Sequence, residues 1–115
     1  MTVSITDRSE LLNLELRQLA ERRLLFAFSR FDSRIKQVKL VVSDENGPRG
    51  GIDKVCCVSV SLHRAADVVV SGRDADMAKC ISRVVGRAGR AVSRAIEKTQ
   101  SFNKYRPVFT DSKLA

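Results

Sequence analysis

Apolar and polar residues along this chain change period several times. At the start, Val3 and Ile5 alternate with Thr2, Ser4 and Thr6, the spacing of a short strand. From Asn13 to Phe31 the period lengthens: Leu16, Leu19, Ala20, Leu24, Ala27, Phe28 and Phe31 recur at helical spacing, while Arg17, Glu21, Arg22 and Arg30 take the other side. This predicts an amphipathic helix with Asn13 as a fitting N-cap. Alternation returns in "IKQVKLVVSDEN", where Val38, Leu40 and Val42 face away from Lys39, Val41 and Ser43. It is clearest in "DKVCCVSVSLHR", where Cys56, Val58, Val60 and Leu62 oppose Cys57, Ser59, Ser61 and His63. The intervening "ENGPRGG" is a turn by its glycines and proline, so the two runs form an antiparallel hairpin. "DVVVSG" predicts a third meander strand. Asp74 then serves as cap for a final helix, whose positive dipole end suits both Asp74 and Asp76.

The element order β-α-β-β-β-α predicts an α+β fold: a four-stranded, mainly antiparallel sheet with two helices packed on one face. With 115 residues, 43% of them hydrophobic, the chain suffices for one small domain with a thin core. The domain is expected over 1–100. Residues 101–115 lose periodicity and contain Pro107, so they are expected to form a flexible tail. Its Phe102, Tyr105 and Phe109, among Lys104 and Arg106, either stack on bases or dock on the domain.

Charge sharpens this picture. Lys and Arg number 21 against 13 Asp and Glu, a formal charge of +8 that favours a polyanionic partner. Lys79, Arg83, Arg87, Arg90, Arg94 and Lys98 fall within an arc of roughly 100° on the helical wheel. Met77, Ile81, Val84, Ala88, Val92 and Ala95 centre roughly 140° away, so one side packs while the other stays wet. Glu97 is the single acid between Met77 and Gln100. The stripe therefore repels itself by a few tenths of a kcal/mol per pair, a cost that a polyanion reverses. Four of the six cations are arginines, which fork onto phosphates, and the apolar side is Val, Ile and Ala rather than Trp, Phe or Leu. Both facts favour nucleic acid over a lipid surface. Gly86 and Gly89 each cost the helix about 1 kcal/mol, explained by close approach of an RNA backbone or by tight packing.

Catalysis is not expected. His63 is the one histidine, the carboxylates are scattered among cations, and "NGPRGG" lacks the Gly-Lys-Ser/Thr ending of a phosphate loop. Cys56, Cys57 and Cys80 lack paired spacing, which predicts reduced thiols without a disulfide framework or a zinc site. No cofactor, metal or small-molecule substrate is expected. The start has no cationic segment followed by a long apolar run, and "LLFAF" is too short to cross a bilayer, so a soluble cytoplasmic protein without a membrane partner is expected.

At this point several strings resemble the ribosome hibernation-promoting factor and ribosome-associated inhibitor family: "ITDR", "LRQLAERRL", "RFDSRI", "DMAKCI" and, most specifically, "SDENGPRGGIDKVC". The resemblance covers roughly Val3 to Lys98. It implies a fold similar to double-stranded-RNA-binding domains and a stress-linked bacterial translation inhibitor, monomeric when free. It also implies binding to the small ribosomal subunit and its RNA, in the channel used by messenger and transfer RNA. The family's basic last-helix positions match Arg87, Arg90 and Arg94, with Lys79 and Arg83 adding to the stripe here. Arg8 matches the basic end of the family's first-strand motif, and Arg22, Arg23 and Arg30 match basic or polar positions of the first helix. Asp7 stands where the family has glycine, and Gly86 and Gly89 where it has larger residues. The second domain that pairs ribosomes in the long forms has no counterpart here, so direct ribosome dimerisation is not expected. Two other functions fit the residues: a general double-stranded-RNA binder or RNA chaperone without ribosome specificity, and a small phosphoester-processing enzyme whose cations hold phosphates, for which no general base is evident.

Overall fold

The computed structural model describes residues 1–8, 10, 12–44 and 54–98, and the helical backbone of 99–105. The elements are β1 (Thr2–Asp7), α1 (Leu14–Phe28), a 3-10 segment (Ser29–Arg34), β2 (Ile35–Asp44), β3 (Lys54–Leu62), β4 (Val68–Asp74) and α2 (Met77–Tyr105). One four-stranded sheet has the order β1-β2-β3-β4. β1 and β2 are parallel, joined through α1; the other two pairs are antiparallel. The expected α+β architecture is present. The hairpin turn "ENGPRGG" lies outside the described residues, while the pairing of Leu40 with Val58 and Val42 with Cys56 shows the two runs antiparallel as expected.

Register sorts the side chains. Val3, Val38, Val60 and Val68 stand in one row, and Ile5, Leu40, Val58 and Val70 in the next. Since strand side chains alternate, these rows share a face with Val42, Cys56 and Leu62. That face meets Ala20, Leu24 and Phe28 of α1 and Ile81, Val84, Val85, Ala88 and Val92 of α2 in one buried core. Burying each such side chain is worth about 1.5–3 kcal/mol, so the two helices are held mainly by this contact. The other face shows Thr2, Ser4, Thr6, Ser59, Ser61 and Ser71 together with Val41, Val55, Cys57 and an exposed Val69, so it is more polar than the core face without being wholly so.

Local chemistry fixes the element ends. Asn13 caps α1 as expected, its Oδ1 accepting the Leu16 N–H at 2.8 Å. α1 ends earlier than the pattern suggests: Ser29 turns its hydroxyl to the Leu25 carbonyl at 2.5 Å, and the chain tightens so that Phe31 packs from the 3-10 segment. The expected cap of α2 is corrected. Asp76, not Asp74, accepts from the N–H groups of Ala78 at 2.9 Å and Lys79 at 3.4 Å. Asp74 ends β4 and accepts the Asp76 N–H at 3.0 Å, one step before the helix. At the far end, the helical backbone runs to Tyr105, five residues into the segment expected as tail; residues 106–115 lie outside the description.

Asp7, where the resemblance expects glycine, accepts the Leu12 N–H at 2.8 Å and so directs the chain from β1 into α1. The three cysteines are free. Buried Cys56 lies with its sulfur 3.5 Å from that of Met77, and burial, with Cys80 beside it, pushes its thiol far up. It is a packing residue rather than a nucleophile.

Candidate nucleic-acid interface

α1 and α2 descend side by side from the same end of the sheet, each running opposite to the strand before it. Two glycines set how closely α2 lies. A Cβ on Gly72 of β4 would sit 2.8 Å from a Val84 methyl, a distance that packed atoms do not tolerate, so the bare backbone lets α2 approach the sheet. A Cβ on Gly89 would meet that of Ala27 at 3.4 Å, so Gly89 brings α2 against α1. Gly86 differs: a Cβ there would meet only the Arg90 guanidinium, at 3.8 Å. Packing therefore accounts for Gly89 but leaves Gly86 unexplained.

All six cations of the α2 stripe are exposed, opposite the buried Ile81, Val84, Ala88 and Val92. They are not equivalent. Arg83 folds back: its Nη1 lies 3.2 Å from the Asp74 carboxylate and its Nη2 donates to the Arg73 carbonyl, tying the top of α2 to the end of β4. The Asp76 N–H and then Arg83 hold the Asp74 carboxyl below its usual range. Arg87 leans the same way, over Gly72. Arg90 leans towards α1. Among the described residues, no carboxylate is ion-paired with Lys79, Arg87, Arg90, Arg94 or Lys98.

On α1, Arg22, Arg23 and Arg30 are exposed. Arg23 and Arg30 face Arg90 across a groove of about 420 Å³ between the helices. Its floor is Ala27, Val85 and Gly89, and Ser82 and Gly86 complete the α2 side. Arg22 stands with Arg23 beyond the outer side of Phe26. The Arg30 guanidinium lies 4.6 Å above the Phe31 ring, which steadies it. Arg8 is exposed on the β1 edge, at the opposite side of the sheet from β4, its backbone N–H bonded to the Val42 carbonyl at 3.0 Å. The structure thus gathers Arg22, Arg23, Arg30 and Arg90, extends them along α2 through Arg94 and Lys98, diverts Arg83, and leaves Arg8 apart.

Of the large apolar residues that stand exposed, Leu14, Leu25, Phe26 and Val69, the most exposed lies beside the arginines. Phe26 is 86% exposed, on the helix face otherwise occupied by arginines. The signal was present: Phe26 follows Arg22 and Arg23 by four and three positions and precedes Arg30 by four, which puts it on their face. It was hidden by the run "LLFAF", where Leu24, Ala27 and Phe28 account for the apolar character.

Elsewhere the surface offers little chemistry. His63 is exposed just past β3, its N–H bonded to the Arg34 carbonyl at 2.9 Å. Among the described residues, no three of His, Cys, Asp and Glu gather as metal ligands, and no helix is long and apolar enough to cross a membrane.

Fold and surface together define a class: a β-α-β-β-β-α domain whose two helices present a basic face on the side away from the sheet. Two solved structures share this fold. A ribosomal subunit interface protein from Coxiella burnetii matches with a TM-score of 0.66 at 16% identity, over 82% of this chain and 96% of that one. The N-terminal domain of Thermus thermophilus Protein Y matches with a TM-score of 0.65 at 23% identity, over 82% of this chain and 98% of that one. Both fall in the hibernation-promoting factor family that the sequence strings resemble. No protein-family model and no curated protein sequence matches the chain.

Proposed function

We propose that this chain is a non-catalytic ribosome-binding protein of the cytoplasm that seats its helical face on small-subunit ribosomal RNA. There it occupies the channel of messenger and transfer RNA, blocks translation and keeps idle ribosomes in store. The observation that carries this reading is the cationic stripe of α2, Lys79, Arg87, Arg90, Arg94 and Lys98, without an ion-pair partner among the described residues, on a fold shared with a ribosomal subunit interface protein. Phosphate contacts of this kind give affinity and position without requiring base sequence.

The test is co-sedimentation with purified small ribosomal subunits over a salt series, with transfer RNA as competitor and an unrelated RNA duplex alongside. Saturation near one chain per subunit, displaced by transfer RNA, is expected. Arg87→Glu with Arg94→Glu is expected to abolish it while leaving the melting transition in place. Equal affinity for the duplex and the subunit would instead establish a general RNA binder, and undiminished binding by the double variant would remove the stripe from the interface.

A further inference from the structure

The groove between α1 and α2 combines features that phosphate neutralisation does not need. Its lip is Phe26, an aromatic ring left 86% exposed. Exposing a ring of this size forgoes a large part of the free energy that burial would give. Arg23 and Arg30 flank the ring on its own helix, and Arg90 closes the opposite side. Among the described residues no carboxylate lines the groove, and its volume of about 420 Å³ is near the lower end of the range typical of small-ligand clefts.

Gly86 supplies the independent observation. It interrupts α2 at a cost of about 1 kcal/mol relative to alanine, yet the Arg90 guanidinium, at an ordinary contact distance of 3.8 Å, is all that a Cβ there would meet. That space is the groove itself. The missing side chain keeps the groove open rather than bringing the helices together, which Gly89 does against Ala27.

Three guanidiniums with no counter-charge select an anion, and an accessible ring beside a shallow apolar floor selects a flat partner. A nucleotide unit has both parts: a base with a π-face and phosphates on either side. A base within a duplex has its faces covered by its neighbours, so Phe26 gains a partner only where the strand is unpaired. We infer that the α1–α2 groove holds one unstacked nucleotide of single-stranded RNA, its base on Phe26 and its flanking phosphates on Arg23, Arg30 and Arg90. This rests on the proposal that the helical face binds RNA, and adds to it a preference for unpaired strand at one position.

The experiment is fluorescence anisotropy with the full chain and three labelled probes: a twelve-nucleotide oligoadenylate, the same backbone with abasic sites, and a twelve-base-pair RNA duplex. Phe26→Ala is expected to weaken oligoadenylate binding about tenfold, within the range that alanine substitution of a stacking ring produces. Duplex binding should change less than twofold and the salt slope should not change, since no charge is removed. Phe26→Tyr is expected to restore affinity. Gly86→Leu, which fills the groove from the other helix, is expected to reproduce the loss with a melting temperature no lower than that of the parent. Equal losses on oligoadenylate and duplex, or an abasic strand bound as tightly as oligoadenylate, would overturn the inference. So would displacement of bound oligoadenylate by a phosphoserine- and tyrosine-containing peptide at lower concentration than by adenosine monophosphate, which would assign the groove to a protein partner. Failure of the wider functional reading looks different: the parent chain then binds none of the three probes.

Discussion

At residue scale, three glycines of similar appearance in the sequence have different physical roles. Gly72 is required by contact, since any side chain meets a Val84 methyl at 2.8 Å, and valine has few rotamers with which to yield. Gly72→Ala is therefore expected to destabilise the fold by roughly 1–3 kcal/mol, the usual range for overpacking. Gly86→Ala meets only the flexible end of Arg90, at an ordinary contact distance, and removes a poor helix former, so it should stabilise by about 1 kcal/mol, a rise of roughly 4–8 °C in a domain of this size. Urea and thermal unfolding of the two variants check both signs; a stabilised Gly72→Ala would mean that α2 does not lie where the contact puts it. None of this was legible in sequence, because a glycine's neighbours across the fold are not written beside it. The exposure of Phe26 was legible, but a buried phenylalanine two residues later masked it.

At the scale of the element, the sequence carried the periods well and the ends less well. The strands of Cys56–Leu62 and Val38–Val42 bury the residues that alternation picks out, because with helices on one side of the sheet each parity has one destination. The cap of α2 was ambiguous because Asp74 and Asp76 both precede the helix; only their geometry separates them. Asp76 holds the first turn, while Asp74 anchors it through Arg83. That anchor has a pH signature. The folded carboxyl of Asp74 lies below its usual value, so the unfolded chain takes up its proton first as pH falls. Its contribution to stability is complete above the unfolded carboxylate value, about pH 4, and is lost as pH falls through the lower folded one. Asp74→Asn is expected to flatten the acid side of a stability–pH curve in that window and to leave its slope near neutrality unchanged. An unaltered acid limb would show that the Asp74 carboxylate, held by the Asp76 N–H and by Arg83, does not secure the start of the helix.

For the whole molecule, the helical stripe was visible as a charge pattern from the start, but its division of labour depends on the sheet beneath it. The wheel makes six cations equivalent; β4 takes Arg83 out of the set, and α1 lends Arg22, Arg23 and Arg30 to Arg90. Arg8, equally basic in the sequence, ends on the far edge of the sheet because β1 is the strand furthest from α2's strand β4. The number of cations engaged can be measured. If the five unpaired residues of the stripe each neutralise a phosphate of an RNA duplex, the logarithm of the binding constant should fall against that of salt with a slope of about −4 to −5. Arg87→Gln with Arg94→Gln should reduce that slope by about 2, while Arg83→Gln should leave it near the parent value. A slope lowered as much by Arg83→Gln as by Arg87→Gln would contradict the back-folded position of Arg83.

The face of the sheet turned away from the helices bears on how such a complex ends. Its outward positions mix hydroxyls, Thr2, Ser4, Thr6, Ser59, Ser61 and Ser71, with Val41, Val55, Cys57 and the exposed Val69; Lys39 and Arg73 stand among them and, among the described residues, no acid. Were the helices seated on RNA as proposed, the stripe's charge would be spent against its phosphates. The sheet face left outside would then offer two cations, Lys39 and Arg73, against the five of the stripe, and no acid among the described residues to attract another copy's stripe. If the helical face is the RNA-binding side, binding is expected to be self-limiting, one chain per site in a single layer, where a uniformly basic protein of the same net charge would coat or bridge the nucleic acid.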